Sequence, residues 1–511
     1  MAPARAVVRP MIRGLAAVAA TVAALGASGC LGGGDTSGSA REGGAAFVAL
    51  GGDRPVRDPA VAGAADAGAL WLVYTSPLTY RRAEGAEGTE LIPGVARALP
   101  RVSGDGLTYS FRVRRGLRFS NDRPVRASDV RHSIRRAARL GAVGRRLFAG
   151  VTAIAADDGS GEVRIRLGDP DASFPHALAA VQAGVVPAST PMRDASGSPP
   201  AGVGPYRMLR RQRGSGLVRN RDFRLPGIPP GLIDFFRLGQ AGRRADQVEA
   251  VEAGRLDVMT ETPPVDALPE LRSEYKDRYL EQPAIATRYV SVSAARAPLS
   301  TPEAREALAY AIDKPEAARR LAGLGRPTCN LLPPNLPGYK ERDACPWGDP
   351  DEPPDLERAR DLVDESDLED EVITIAASRP DRPTAREYAR TLATIGLRPV
   401  LVDGRRADVT LSVAASPLPD SARFLVSLAK NVALVADPEA LLMSDELRST
   451  YEPEQEAELA EQLDRELVES AIAIPYAEVS TSVFLSARID SANCAGVHPV
   501  YGIDLSSLCL L

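Results

Sequence analysis

The sequence predicts an α/β protein, and three observations carry that prediction. Residues 372–376 and 397–402 each read as a short strand, and a helical pattern over 384–395, closed by Gly396, separates them. This strand–helix–strand spacing implies two parallel neighbours in one sheet. Residues 104–133 alternate strand and turn signals before a helix begins. The chain, with 511 residues, is long enough for two or three packed lobes.

The N-terminus has the composition of an export signal. Arginines precede an apolar run, 14–25, that is shorter than the roughly 20 residues that a bilayer-spanning helix needs. Small residues then lead to Cys30, and 27–30 resembles a bacterial lipobox, in which that cysteine is acylated and becomes the mature N-terminus. Ala27 stands where lipoboxes usually carry Leu. An ordinary secretory peptide with Cys30 in its tail is the alternative.

Residues 1–29 are therefore predicted to be a lipoprotein signal peptide, and 30–44, rich in Gly and Ser, a flexible tether. The mature chain would have 482 residues, which is 511 less 29. No later stretch of the sequence is apolar for long enough to cross a bilayer. The expected location is the extracytoplasmic side of the cell membrane, in the periplasm or at the cell surface, with a lipid anchor at Cys30.

The composition argues against nucleic-acid binding and against catalysis. The net charge is −5, and no basic stripe with interleaved aromatic residues occurs. The chain has only three histidines, and the sequence contains no nucleophile elbow, zinc-protease motif or phosphate-binding loop. We therefore expect a protein that is not an enzyme and that uses no cofactor and no metal.

Four cysteines remain besides the predicted lipidation site: Cys329, Cys345, Cys494 and Cys509. An even number in an exported chain suggests disulfides, and four cysteines permit three pairings. Local pairing, Cys329 with Cys345 and Cys494 with Cys509, closes two short loops and is the pairing that we predict. Each bond would contribute roughly 3 kcal/mol on the chain-entropy account. A metal site is the alternative, and the lack of a Cys-x-x-Cys spacing disfavours it.

Further segments carry element signals along the chain. Residues 107–113 alternate apolar and polar side chains as a half-buried strand does, and the alternation resumes at 117–119 after a turn. Ser128 offers a helix N-cap, and Asp129 suits the first turn of that helix. Other predicted elements are strands at 45–50, 163–167 and 288–293, and helices at 64–74, 247–254, 300–312, 355–363 and 453–470.

The amino-acid sequences of these segments resemble those of one protein family. Residues 104–133, GDGLTYSFRVRRGLRFSNDRPVRASDVRHS, are similar to a signature block of the extracytoplasmic solute-binding proteins of peptide-type ABC importers, the peptide/nickel (dipeptide- and oligopeptide-binding) family. Shorter matches follow in the family's order: GVGPYR at 202–207, ALAYAID at 307–313, LPP and PGY within 332–339, and IAIPY at 472–476. Each match is weak alone, and their order and spacing make the resemblance specific.

The resemblance implies a periplasmic-binding-protein type II-like fold, in which two α/β lobes close by hinge motion around a ligand. On this basis lobe one takes residues 45–74, 185–286 and 480–511, an inserted subdomain takes 75–184, and lobe two takes 287–479. The implied function is capture of a small solute, a peptide or peptide-like molecule, and its delivery to an ABC transporter permease. The expected partners are that solute, the permease and the membrane, with no nucleic acid and a monomeric chain.

The chain departs from the family where peptide-binding members hold their ligand. Those members carry an Asp that pairs with the peptide's α-ammonium and a Trp close by, since a buried cation needs a charge partner. Aligned on Asp408 and Phe424, Ala414 stands at the Trp position and Pro417 at the Asp position. Asp420 could substitute for the missing Asp, but the sequence favours an exposed loop carboxylate at this position.

Four further residues complete the candidate ligand-binding set. Ser293 replaces the Asn of the family's YLGFNT strand, whereas Tyr74, Thr75 and Ser76 stand where lobe one meets the cleft by resemblance, or at an ordinary strand-to-loop junction. The departures leave two hypotheses: a ligand without a free amine, or drift away from ligand binding. The alternative function is therefore a non-transporting lipoprotein sensor or scaffold of the same fold with a degraded ligand cleft.

Overall fold

The described residues form a mixture of helices and strands. The computed structural model describes residues 42–49, 56–211, 214–239, 242–294, 297–321, 323–404, 407–432 and 437–511. The predicted signal peptide, Cys30 and the tether up to residue 41 lie outside the described residues. Among the helices that the structure describes, none combines the length and the apolar character that a membrane span requires.

The described elements have the following bounds. The strands are β1 (Ala45–Ala49), β2 (Leu78–Tyr80), β3 (Leu91–Pro93), β4 (Arg101–Val102), β5 (Thr108–Arg112), β6 (Val151–Asp157), β7 (Glu162–Leu167), β8 (Tyr206–Arg211), β9 (Gly214–Arg219), β10 (Phe235–Gly239), β11 (Val258–Met259), β12 (Tyr279–Val292), β13 (Gly325–Arg326), β14 (Val372–Ala377), β15 (Arg398–Val402), β16 (Val409–Ala415), β17 (Ala473–Leu485), β18 (Val497–His498) and β19 (Gly502–Ile503). The helices are α1 (Ala64–Trp71), α2 (Ala127–Leu140), α3 (Ala142–Leu147), α4 (Phe174–Ala179), α5 (Arg244–Glu252), α6 (Leu268–Glu274), α7 (Pro302–Tyr310), α8 (Lys314–Arg319), α9 (Leu356–Glu365), α10 (Arg382–Thr394), α11 (Ser421–Val432), α12 (Pro438–Arg448), α13 (Pro453–Glu469) and α14 (Ser491–Cys494).

An 11-stranded mixed sheet extends through both predicted lobes. Its strand order is β15-β14-β16-β12-β17-β11-β1-β10-β9-β8, and β13 pairs with β17 outside this path. The two long strands β12 and β17 lie antiparallel at the middle, from Tyr279 opposite Phe484 to Ser291 opposite Ala473. Their register shifts between Pro283 and Thr287. These two strands therefore join the half of the sheet around β1 to the half around β14.

The strand–helix–strand prediction is confirmed. β14 and β15 pair in parallel, with Val372 opposite Arg398, and α10 connects them. Ile375 of β14 and Leu392 of α10 are both fully buried in the same core, so the crossover covers one face of the sheet. The predicted helices at 300–312, 355–363 and 453–470 correspond to α7, α9 and α13.

A separate four-stranded antiparallel sheet, β4-β5-β7-β6, occupies the segment predicted to be the inserted subdomain. Tyr109 and Phe111 of β5 and Val163 and Ile165 of β7 face one core, as their alternation predicts. The apolar stripe of α2 covers that core, and Ile134 is fully buried in it. The inserted segment thus has a hydrophobic core of its own.

The start of α2 differs from the sequence prediction. The helix begins at Ala127, and the backbone N–H of the capping residue Arg126 donates to the Asp129 carboxylate at 2.9 Å. Ser128 was expected to be the N-cap, and that prediction is wrong, because its Oγ donates outward to Asp158 at 2.8 Å. The buried Asp129 carboxylate accepts this hydrogen bond as the acid of a capping box does. The helix therefore starts at Ala127, one residue before Ser128.

Two disulfides join the cysteines in the local pairing expected from the sequence. Cys329 bonds to Cys345 with the Cα atoms 5.0 Å apart, and Cys494 bonds to Cys509 with the Cα atoms 5.8 Å apart. The sequence separations are 16 and 15 residues, so each bond closes a short loop. The first disulfide lies in the core of lobe two, and the second ties the C-terminal end to α14.

Candidate functional site

A cavity of about 380 Å³ lies between the inserted subdomain and lobe two. We call it the cleft cavity. One wall is α3, through Val143, Arg146 and Leu147, and the other is formed by residues 413–417 and by α11. Small-molecule sites in proteins have volumes of roughly 300–1,000 Å³ and often lie between domains, so the cleft cavity has the size and position of a ligand site.

The periodicity of β16 and α11 determines which of their side chains form the lobe-two wall of the cleft cavity. In β16, Val409 and Leu411 point into the core, and the strand ends at Ala415 with its last residues beside the cavity. Tyr289 of β12, paired opposite Ser412, lines the same wall. On α11, Phe424 lies one helical turn before Leu428, and both line the cavity.

Close packing of α3 on α2 fixes the opposite wall. A Cβ atom at Gly144 would lie 2.3 Å from the carbonyl oxygen of Ala137 in α2, so only glycine allows this approach. Leu147 and Phe148 are buried at the end of α3 and belong to the core of the inserted subdomain. Arg146 therefore extends toward the cavity from a short helix that is firmly seated on its own subdomain.

The structure brings two of the seven predicted ligand-binding residues together. Ala414 and Pro417 both line the cleft cavity, at the positions where the resemblance places the missing Trp and Asp. Ser293 is exposed beyond the end of β12, where its N–H donates to the Asp408 carbonyl at 2.8 Å, and it does not line the cavity.

The three predicted residues where lobe one meets the inserted subdomain are buried away from the cleft cavity. Tyr74 is fully buried, and its hydroxyl donates to the Pro200 carbonyl at 3.1 Å. Ser76 donates to the Ala180 carbonyl at 2.8 Å, and the Thr75 N–H donates to the Val203 carbonyl at 2.9 Å. These contacts hold the junction between lobe one and the inserted subdomain, and none of the three residues lines the cleft cavity.

Comparison with known proteins identifies the family. Residues 90–422, well over half of the chain, match the family described as bacterial extracellular solute-binding proteins, family 5. The chain belongs to this family. It is therefore a substrate-binding protein of an ABC importer family, a class of binding proteins and not of enzymes.

Curated relatives and solved structures agree with the family 5 assignment. The chain is 27% identical over 313 residues to the glutathione-binding protein GsiB of Escherichia coli O1:K1 / APEC, and 26% identical to GsiB of Shigella dysenteriae serotype 1. Each alignment covers 58% of this chain and 58% of the relative, so the chain spans little more than half the length of the curated relatives it matches.

The solved structures show the fold. "Clavulanic acid biosynthesis oligopeptide binding protein 2" aligns with a TM-score of 0.81 at 22% identity, covering 92% of this chain and 96% of that one. HbpA2 from Haemophilus parasuis aligns with a TM-score of 0.78 at 20% identity, covering 92% and 100%. The predicted periplasmic-binding-protein type II-like fold is confirmed.

Asp420 is not the exposed loop carboxylate that the sequence suggested for this family 5 protein. It is 2% exposed and accepts hydrogen bonds from Ser173 Oγ at 2.6 Å and from the Arg423 N–H. His176 Nε2 lies 3.5 Å from its second oxygen. The exposed-loop interpretation is wrong because Leu418, which is 1% exposed, enters the core of the inserted subdomain and carries the following residues against it.

The contact around Asp420 contains several titratable groups, here called the interlobe cluster: Asp171, His176, Asp420, Arg423 and Glu456. Asp171 pairs with Arg423 at 3.1 Å, and burial raises the pKa of Asp171 against the opposing effect of that arginine. Burial lowers the pKa of His176, and the Asp420 charge opposes that shift. Burial, followed by the charge of Asp420, raises the pKa of Glu456 to about 8. The cluster therefore joins lobe two to the inserted subdomain beside the cleft cavity.

Sequence reasoning missed the two arginines of the cleft cavity, Arg146 and Arg423. The chain contains 62 Lys and Arg residues, so a single arginine in a short helix carries no distinguishing signal. The position of Arg423, three residues after Asp420 and next to the alignment anchor Phe424, was the available clue. Arg146 becomes visible only when the fold brings α3 opposite α11.

Proposed function

We propose that this chain is the lipid-anchored, extracytoplasmic solute-binding component of an ABC importer, which captures a small solute between its lobes and delivers it to a permease. The cleft cavity is the observation that carries the proposal. Its walls belong to two parts of the chain, so a molecule bound there contacts both parts at once. Peptide-like chemistry is the class that the peptide-binding relatives suggest.

The architecture suits ligand-dependent closure. β12 and β17 join the two halves of the sheet, with a register shift between Pro283 and Thr287. A solute that contacts both walls of the cleft cavity binds the closed form better than an open one, and so raises the population of the closed form. A permease that reads the closed form would thereby accept loaded protein in preference to empty protein.

A second candidate function is supported by the residues at the anchor positions. Ala414 and Pro417 line the cleft cavity without any charged group, so the amine anchor of peptide-binding members has no equivalent at these positions. A sensor or scaffold with a degraded cleft would show this loss. It would also leave the cavity without a solute in protein from any growth condition.

Mass spectrometry of small molecules released from gently purified, full-length protein tests the proposal. We expect the wild type to release a solute in near-stoichiometric amount. Ser427→Trp, on α11, places a large side chain in the cleft cavity and should strongly reduce that release, whereas Val400→Trp, on exposed β15 outside the cavity, should not. Repeated absence of any solute from the wild type would favour the sensor or scaffold.

The lipid anchor is tested separately. Metabolic labelling with a fatty acid should mark the wild-type chain, and Cys30→Ala should lose the label and leave the membrane fraction. Unlabelled wild-type protein that still contains Cys30 would overturn the anchor and leave solute binding untouched.

A further inference from the structure

We propose that the cleft cavity selects a solute with an anionic group, such as a carboxylate, and not a solute with a free amine. This inference rests on the proposed function and names the class of solute. Arg146 and Arg423 carry the positive charges of the lining, and none of the described residues that line the cavity is an acid. The family's anchoring carboxylate is Pro417 in this chain. An ammonium group entering the cavity would therefore lose its hydration without gaining a charge partner.

Both arginines have donors to offer. Arg146 is exposed, and its side chain makes no ion pair or hydrogen bond with any residue that the structure describes. Arg423 uses its Nη2 on Asp171 at 3.1 Å, and its Nη1 has no hydrogen-bond acceptor among the described residues. A guanidinium presents five N–H donors in a fixed fork that matches a carboxylate, so an anion would supply acceptors that the protein itself does not.

Among the described residues, the nearby acids leave the charge of Arg146 without an ion-pair partner. Asp420 is turned into the inserted subdomain by Ser173 and by the Arg423 N–H. Glu456 contributes little negative charge at neutral pH, since burial and Asp420 raise its pKa to about 8. Asp171 balances Arg423 through their ion pair, whereas Arg146 faces the cavity from the other wall.

The rest of the lining completes the description of the solute. Ser416, Ser427 and Asn431 add neutral polar groups, which hydrogen-bond oxygen atoms without requiring a charge. Leu147, Phe424 and Leu428 form an apolar surface beside them. A small organic acid with an apolar body, including an N-blocked peptide, fits this distribution. Since the two arginines stand on opposite walls, an anion between them also relieves their mutual repulsion when the lobes close.

Three matched probes test the inference. They are N-acetyl-leucyl-leucine, which has a carboxylate and no amine, leucyl-leucine amide, which has an amine and no carboxylate, and N-acetyl-leucyl-leucine amide, which is neutral. The full-length protein is incubated with an equimolar mixture of the three, and the retained amounts are measured by mass spectrometry. We expect the acid to be retained about tenfold more than either amide, the ratio that one charge-assisted hydrogen bond provides.

Two variants test whether the preference for the acid arises in the cleft cavity. Arg146→Gln should reduce the preference for the acid about tenfold, whereas Arg135→Gln, at another exposed arginine that lies on α2 outside the cavity, should preserve it. Equal retention of the three probes, preference for the amine, or an unchanged preference in Arg146→Gln would overturn the inference and leave solute capture standing. Retention of none of the probes would overturn the inference together with peptide-like capture.

Discussion

The Asp420 carboxylate accepts a hydrogen bond from Ser173 Oγ at 2.6 Å, across 247 residues of sequence. The same carboxylate accepts from the Arg423 N–H near the start of α11. One buried side chain thus caps a helix of lobe two and binds that helix to the inserted subdomain. The contact lies beside the cleft cavity, so it couples the local fold of α11 to the position of the two cavity walls.

Asp420→Ala should lower the free energy of unfolding by about 2–4 kcal/mol, since the buried Ser173 hydroxyl and the first-turn N–H of α11 both lose their acceptor. Urea unfolding followed by circular dichroism measures the change. Asp403→Ala, at a carboxylate whose side chain is 89% exposed, should change the free energy by less than about 1 kcal/mol. Equal effects of the two substitutions would contradict the role assigned to Asp420.

Glu456 should make stability depend on pH. Burial and the Asp420 charge raise its pKa to about 8, above the roughly 4.3 of a free Glu. The folded state therefore keeps a proton that the unfolded state releases, so the stabilisation is full below about pH 4 and is lost as the pH rises to about 8. From about pH 5 to about pH 9 the wild type should lose about 1–3 kcal/mol relative to Glu456→Gln, after allowance for partial exposure.

The control for that measurement lies on the same helix. Glu458→Gln, at an exposed position of α13, should follow the wild type across the pH range. Urea unfolding of the three proteins at each pH separates the Glu456 contribution from all other titrations, since those are shared. A constant difference between wild type and Glu456→Gln would show that Glu456 does not titrate in this range.

Short-range sequence patterns predicted the strands and helices well because they reflect interactions between residues that are close in the chain. The β14–α10–β15 unit follows from alternation, from helical spacing and from a closing glycine, all within about thirty residues. The wrong predictions lie where other residues, some distant in the sequence, compete for the same hydrogen bonds. Ser128 has the right chemistry for an N-cap, but Asp129 and Asp158 take the available hydrogen bonds.

The candidate site was predictable only in part, for the same reason. Alignment on Asp408 and Phe424 placed Ala414 and Pro417 at the cavity, because residue spacing along one strand and its loop is preserved in the fold. Asp420 follows the same loop, but its burial depends on Ser173, a residue whose proximity no local pattern encodes. The positive charge of the cavity likewise depends on α3 of the inserted subdomain, which the tertiary fold places opposite α11.

Arg136→Met should be strongly destabilising. Arg136 forms a two-pronged ion pair with Asp58, at 2.9 and 2.6 Å, and both side chains are fully buried. Its Nε also donates to the Pro191 carbonyl at 2.9 Å. Removing the arginine leaves the Asp58 charge buried and unpaired, which costs about 3–5 kcal/mol. Thermal and urea unfolding measure the loss.

Arg135→Met is the matched control for that substitution, since it changes the neighbouring residue at an exposed position of α2. It should alter the free energy of unfolding by less than about 0.5 kcal/mol. If both variants unfold like the wild type, the Arg136–Asp58 pair does not hold α2 against the start of lobe one. Because neither Arg136 nor Asp58 lines the cleft cavity, solute retention per folded molecule should be unchanged in either variant.

Lys314→Met should alter the pH dependence of stability in the direction opposite to Glu456→Gln. Lys314 Nζ is buried and donates to the Thr328 carbonyl at 3.0 Å and to Cys345 Sγ at 2.9 Å. Burial lowers its pKa to about 7 from an ordinary value near 10.4. Between those values the unfolded state binds more protons, so wild-type stability rises with pH in that window. From about pH 7 to about pH 10 the wild type should gain about 2–4 kcal/mol over Lys314→Met. Lys276→Met, at an exposed lysine, should show no such gain in urea unfolding, and a wild type that loses stability relative to Lys314→Met over this range would contradict the prediction.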